Sequence, residues 1–112
     1  AGFPNLFTIT GPGSPSVLTN MVPSIEQHVN WIVNCLQAMR SGGVISIEAE
    51  EAAELAWADE VKTAGERSLR SSVSSWYTGA NIPGKPRVFM PYMGGLPAYT
   101  QRVQEEANSG YE

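Results

Sequence analysis

The 112-residue chain is 42% hydrophobic and 16% charged, with a net charge of −4. These values exclude a disordered tail, argue against nonspecific binding to nucleic acid, and leave room for one small domain rather than two. The single cysteine, Cys35, excludes an internal disulfide and a cysteine-cluster zinc site.

In chain order, Leu6 to Thr10 (LFTIT) reads as a short strand, apolar enough to be covered on both faces. The run Gly11-Pro12-Gly13-Ser14-Pro15-Ser16 is a loop by composition. It is neither a P-loop, since no Gly-Lys-Ser/Thr follows, nor a dinucleotide-binding GxGxxG. A helix follows, capped by Thr19 or Asn20, with Pro23 in its first turn. Ile25, Val29, Ile32, Leu36 and Met39 give it an apolar stripe, and Gly42-Gly43 ends it after Arg40. Strand, glycine-rich loop and helix N-terminus form the arrangement that binds ligands in open α/β sheets, where the helix end offers unpaired N–H groups. Val44 to Ile47 can add a short extended piece.

A second helix is predicted from Ala49 to about Leu69, with Ala53, Trp57, Val61 and Ala64 as its apolar edge. Ser71 to Ser75 is a serine-rich break, and Trp76 to Pro86 is irregular. Arg87 to Tyr92 reads as a strand limited by Pro91. A last helix is expected from about Pro97 to Asn108, stopped by Gly110. No apolar run reaches the roughly 20 residues of a bilayer span, and no leader peptide is visible. A cytoplasmic location is therefore the expectation.

Charge is segregated along the chain. Seven of the eleven acids lie between Glu48 and Glu66, opposed only by Lys62. Between Arg67 and Gln104 there are five bases (Arg67, Arg70, Lys85, Arg87 and Arg102) and no acid. The acidic stretch reads as a solvated helix face. The basic stretch can read as a site for a phosphate-bearing ligand.

No catalytic constellation emerges. Ser24 and His28 are one helical turn apart, yet Glu26, the acid nearest them, lies on another face, so the pair lacks the rest of a triad. Cys35 is expected to be a buried, inert thiol. One histidine and one cysteine do not make a transition-metal site. Trp76 and Tyr77 stand out inside a Gly/Pro-rich loop, either as anchors for it or as ligand contacts.

Two long strings carry a resemblance. GFPNLFTITGPGSPSVLTNMVPSIEQHVNWI, from Gly2, is similar to the end of the FAD-binding domain of Baeyer–Villiger monooxygenases of the phenylacetone and cyclohexanone monooxygenase kind. SWYTGANIPGKPRVFMPYMGG, from Ser75, is similar to that family's C-terminal cofactor loop and the segment after it. The resemblance implies a C-terminal part of an enzyme that uses FAD, NADPH and O₂ to insert oxygen beside a ketone carbonyl. It also implies roles by position. Pro15, Ser16, Val17 and Leu18 resemble the pocket bulge near flavin and substrate, with Ser16, Val17 and Leu18 as its substrate-pocket residues, and Met90 resembles a substrate-pocket residue. Asn20 and Met21 resemble the point where a helix N-terminus meets the flavin, where N–H groups stabilise negative charge. Trp76 resembles the tryptophan whose indole N–H reaches the nicotinamide cofactor's ribose, and Lys85 lies in the same basic loop. Leu69-Arg70-Ser71-Ser72 stands where family members usually carry an aromatic residue and proline.

The family's N-terminal FAD fingerprint, NADPH-domain GxGxxG, FxGxxxHxxxWP marker and active-site arginine do not occur in these residues. The expectation is an α/β-derived fragment of about three helices and two or three short strands. Residues 1–43 would end the FAD-binding domain, and residues 44–112 would form a helix and cofactor-loop segment of the same compact unit. The isolated chain is expected to be inactive and to bind neither FAD nor NADPH. Its partner would be the remainder of a monooxygenase chain, or a second copy. The alternative is a stand-alone nucleotide-binding or oligomerising remnant.

Overall fold

The computed structural model describes residues 1–15, 19–68 and 76–111. They form three α-helices, α1 (Met21–Gly42), α2 (Glu51–Glu66) and α3 (Gly95–Asn108), and a one-turn 3₁₀ helix at Trp76–Thr78. Residues 16–18, the Leu69–Ser72 departure and the serine-rich break to Ser75 lie outside the described residues.

Each helix begins and ends for local reasons. Asn20 caps α1, its Oδ1 accepting from the Val22 N–H at 3.1 Å, which satisfies one of the orphan donors of the first turn. Gly43, at φ 68°, ends α1 in the left-handed region. Its N–H donates to Arg40 O and the Val44 N–H donates to Met39 O, the paired closure that a left-handed residue permits. Glu51 and Glu54 place negative charge in the first turn of α2, where the helix dipole favours it. Along α3, Arg102 pairs with Glu106 at 2.6 Å.

No strand forms among the described residues, which corrects the expectation of two or three. A strand needs a ladder of consecutive hydrogen bonds, and the candidate segments find only single ones. Leu6–Thr10 is bounded by left-handed Asn5 (φ 59°) and by Thr10 itself (φ 54°). In place of a ladder, Asn5 clamps the 45–47 segment. Its N–H donates to Ile47 O, its Nδ2 to Ile45 O, and its Oδ1 accepts from Ile47 N–H. The Arg87–Tyr92 segment has two isolated links to the glycine-rich loop and one to Tyr77.

The core is small and aromatic. Cys35, Val61, Phe89 and Tyr92 are its buried apolar residues. Trp31 joins α1 to α3, its Nε1–H donating to Val103 O at 2.8 Å, and Tyr111 meets its ring edge-on at 5.4 Å. Trp57 of α2 lies 4.9 Å from Tyr92 and 5.9 Å from Tyr99, ring to ring. Of the predicted stripe of α1, Ile25, Val29 and Leu36 are exposed, while Ile32 and Met39 are half-buried. Ser24, His28 and Cys35 are the residues α1 buries, whereas Val22, Ile25, Val29, Val33 and Leu36 are 39–61% exposed. The radius of gyration is 15.1 Å, against about 13 Å for a compact chain of similar length. The accessible surface is 7701 Å², about 1,700 Å² more than a compact monomer of this mass exposes.

Candidate functional site

The glycine-rich loop is held from several directions at once. The Gly13 N–H donates to Met90 O at 2.8 Å, and the Tyr92 N–H donates to Ser14 O at 3.1 Å. Ser24 Oγ donates to Pro15 O at 3.2 Å, and the Thr10 N–H donates to His28 Nδ1 at 3.1 Å. The Met90 N–H in turn donates to Tyr77 O at 2.9 Å. Thus the loop, the segment around Met90 and the short helix at Trp76–Thr78 meet, although more than sixty residues of sequence separate the first from the others.

Gly13 is required at this junction. It has φ +79°, and a Cβ there would lie 2.7 Å from Trp57 Nε1. Both the backbone conformation and the close approach exclude a larger residue.

The sequence-selected residues divide by environment. Met90 is half-buried, and its main chain carries two of the bonds just described. Asn20 and Met21 are exposed at the start of α1, and Asn20 Oδ1 is engaged in capping. Lys85 is exposed. Trp76 opens the 3₁₀ helix. Ser16, Val17 and Leu18 lie outside the described residues.

Ser24 and His28 are both buried, but each is an anchor for the loop rather than half of a nucleophilic pair. Because His28 Nδ1 accepts a hydrogen bond, the neutral ring carries its proton on Nε2. Burial lowers the His28 pKa from its usual value by penalising the charged imidazolium. Burial likewise raises the Cys35 thiol, which keeps it protonated and inert. The Tyr92 hydroxyl is raised first by burial, then by the charge of Glu60, to which it donates a hydrogen bond at 3.4 Å.

The seven acids from Glu48 to Glu66 are exposed, as a solvated face should be. Within the basic stretch, Arg102 is engaged with Glu105 and Glu106, so it is not available as a simple ligand cation. Among the described residues no group of His, Cys, Asp and Glu can hold a metal ion. Sequence reasoning missed the roles of Trp57, Tyr92 and Tyr99. Helical spacing placed Trp57 on the apolar edge of the second helix, but only the fold brings its ring to those of Tyr92 and Tyr99.

No family model matches the chain. Individual proteins do. It is 37% identical, over 99% of its length, to acetone monooxygenase (methyl acetate-forming) from a Gordonia species, of which it covers 21%. It is 39% identical, over 97% of its length, to a Baeyer–Villiger monooxygenase from Pseudooceanicola batsensis, of which it covers 20%. The chain is homologous to one segment of the Baeyer–Villiger monooxygenases. An oxidised steroid monooxygenase bound to NADP contains the same fold, with a TM-score of 0.89 and 43% identity over 99% of this chain. The chain therefore spans about a fifth of the length of the monooxygenases it matches. No helix among the described residues is long and apolar enough to cross a membrane.

Proposed function

We propose that these residues are the C-terminal part of an FAD- and NADPH-dependent Baeyer–Villiger monooxygenase and are not catalytic by themselves. The observation that carries this reading is the match of nearly the whole chain, in sequence and in fold, to one fifth of such enzymes. FAD, when bound, supplies the oxygen-activating chemistry. The chain's own residues supply surface around it. The rigidly anchored loop leads into Ser16, Val17 and Leu18, which with Met90 would border a small ketone. Exposed Asn20 and Met21 at the head of α1 fit the edge of a flavin, because a helix N-terminus favours partial negative charge there. Trp76 and Lys85 would meet the nicotinamide nucleotide, the lysine as a cation toward a phosphate.

At the loop junction Ser24 and His28 are engaged as anchors of the loop, so binding and shaping are the roles proposed for these residues. The purified chain with FAD, NADPH and a small ketone should show no ketone-dependent NADPH consumption; ester formation by the isolated chain would contradict the assignment. The positive test replaces the matching fifth of the Gordonia acetone monooxygenase with this chain. The hybrid should bind FAD and oxidise ketone. A hybrid that loads FAD yet shows no ketone-dependent turnover would overturn the reading.

A second reading, an oligomerising remnant without catalysis, is favoured by the exposed apolar face of α1. Monomers rarely expose apolar patches beyond a few hundred Å². A colourless dimer of the purified chain supports it.

A further inference from the structure

Trp57, Tyr92 and Tyr99 form a cluster of oxidisable rings beside the glycine-rich loop. Their centroids are 4.9 Å apart for Trp57 and Tyr92, 5.9 Å for Trp57 and Tyr99, and 6.2 Å for Tyr92 and Tyr99. These separations are those of direct ring contact. Electron exchange between two groups falls off steeply with distance, so rings this close pass an electron readily. The members of the cluster differ in their surroundings. Trp57 is half-buried and lies so near Gly13 that a Cβ there would come within 2.7 Å of its Nε1. Tyr92 is 8% exposed, and its hydroxyl donates to Glu60 Oε1 at 3.4 Å. Glu60 is exposed on α2, one turn beyond Trp57. Among the described residues no carboxylate is hydrogen-bonded to Tyr99.

The carboxylate decides which tyrosine can hold a radical. A phenol that loses an electron becomes a strong acid, and a buried site penalises the positive charge left if the proton stays. Oxidation of a buried tyrosine is therefore easy only where a base takes the proton as the electron leaves. We propose that Trp57 and Tyr92 form a redox relay that carries one-electron oxidation away from the glycine-rich loop, with Glu60 as its proton acceptor. A hydroxyl radical derived from O₂ at the loop takes an electron from the Trp57 indole and leaves as hydroxide. Tyr92 returns an electron to Trp57, and its phenolic proton passes to the Glu60 carboxylate. A neutral phenoxyl radical remains on Tyr92, and exposed Glu60 releases the proton to solvent. A small reductant in solvent, ascorbate or a thiol, then gives Tyr92 an electron as a proton returns. The relay spares the loop and Met90, whose carbonyl holds the Gly13 N–H. The inference rests on the function proposed above only for the source of the oxidant, O₂ chemistry beside the loop.

The test is pulse radiolysis of the 112-residue chain with azide radical, a one-electron oxidant that attacks tryptophan. Tyr77→Phe and Tyr111→Phe are introduced throughout, so that Tyr92 and Tyr99 are the tyrosines that remain. Far-ultraviolet circular dichroism verifies the fold of each variant. The absorbance of the indolyl radical should decay as that of the phenoxyl radical rises, at a first-order rate independent of protein concentration. Trp57→Phe and Tyr92→Phe should each remove this phase, and Tyr99→Phe should leave it. Glu60→Gln, at an exposed position where folding is not at risk, should slow it roughly 10- to 100-fold, the loss of one hydrogen bond to a charged group expressed as a rate.

A folded chain that gives no phenoxyl signal would overturn the inference, as would a rate proportional to protein concentration. A phase that survives Tyr92→Phe and is lost in Tyr99→Phe would put the radical on Tyr99 and overturn it too. An unchanged rate in Glu60→Gln would remove the proton acceptor, and with it the reason that Tyr92 is the ring oxidised. The measurement uses neither flavin nor nucleotide, so its failure leaves the monooxygenase reading standing. A hybrid that loads FAD without oxidising ketone bears on that reading alone.

Discussion

Gly65→Ala offers a direct measure of how tightly α2 sits on the Phe89–Met90 segment. In a helix interior this exchange adds up to about 1 kcal/mol of stability, because alanine loses less backbone freedom than glycine. Gly65 is buried, however, and a Cβ there would lie 2.7 Å from Phe89 Cδ1 and 3.1 Å from Phe89 Cγ. The ring cannot easily yield. Phe89 is 8% exposed, and the next residue is pinned on both sides, its N–H by Tyr77 O and its carbonyl by Gly13 N–H. Overpacking of this kind costs about 1–3 kcal/mol. The two effects leave a net destabilisation of up to about 2 kcal/mol, which lowers Tm by up to roughly 12 °C in a domain of this size. Thermal unfolding followed by far-ultraviolet circular dichroism measures it. In a Phe89→Leu background, where the side chain is smaller and can rotate, the cost of Gly65→Ala should shrink or change sign, a coupling that a double-mutant cycle isolates. A rise in Tm for Gly65→Ala in the wild-type background would refute the close-packing argument.

Other predictions follow from the same contacts. The only histidine has a lowered pKa in the folded chain, so the unfolded chain takes up its proton first, near pH 6.5. Its contribution to stability is therefore complete above about pH 6.5 and is lost as pH falls through the folded value; denaturation midpoints between pH 8 and 5 should show this slope, and His28→Gln should flatten it. In a complete enzyme carrying this segment, Trp76→Phe should raise the NADPH dissociation constant roughly 10- to 100-fold, the cost of a hydrogen bond to a charged ligand, with FAD content normal. If Trp76 instead only anchors the loop, nucleotide titration will show no change. Sedimentation of the isolated chain should reveal association at micromolar concentration, and Val33→Asp on the exposed face of α1 should weaken it.

Much of the helical framework was legible because its signals are local. Asn20, Pro23 and Gly43 mark the ends of α1 through capping and φ preferences, and Gly110 stops α3 in the same way. The loop at Gly11–Pro15 could be read from composition alone. The missing strands could not, because a strand is a property of a pair. LFTIT has the residues of a strand, and its failure to form a ladder depends on what lies beside it. The junction of the loop with Met90 has no local signal, since Gly13 and Met90 are far apart in sequence. Gln27 and His28 gave no sign of a shared cleft. A helix wheel places His28 beside the apolar stripe and Gln27 nearly opposite it, and only the approach of α3 and Leu6–Thr8 brings the two into one wall.

The apolar stripe of α1 explains why pattern and burial disagree. Helical periodicity identifies the face that burial would reward, but not the element that covers it. In this chain the smaller, more polar face of Ser24, His28 and Cys35 turns inward, where Ser24 and His28 bond the loop and His28 meets the Tyr99 ring edge-on. The larger apolar face of Val22, Ile25, Val29, Val33 and Leu36 turns outward. A helix with two such faces belongs between two layers. One layer is α3 with the anchored loop and the Leu6–Thr8 segment, which share the His28 side of α1; the other face of α1 is the exposed one.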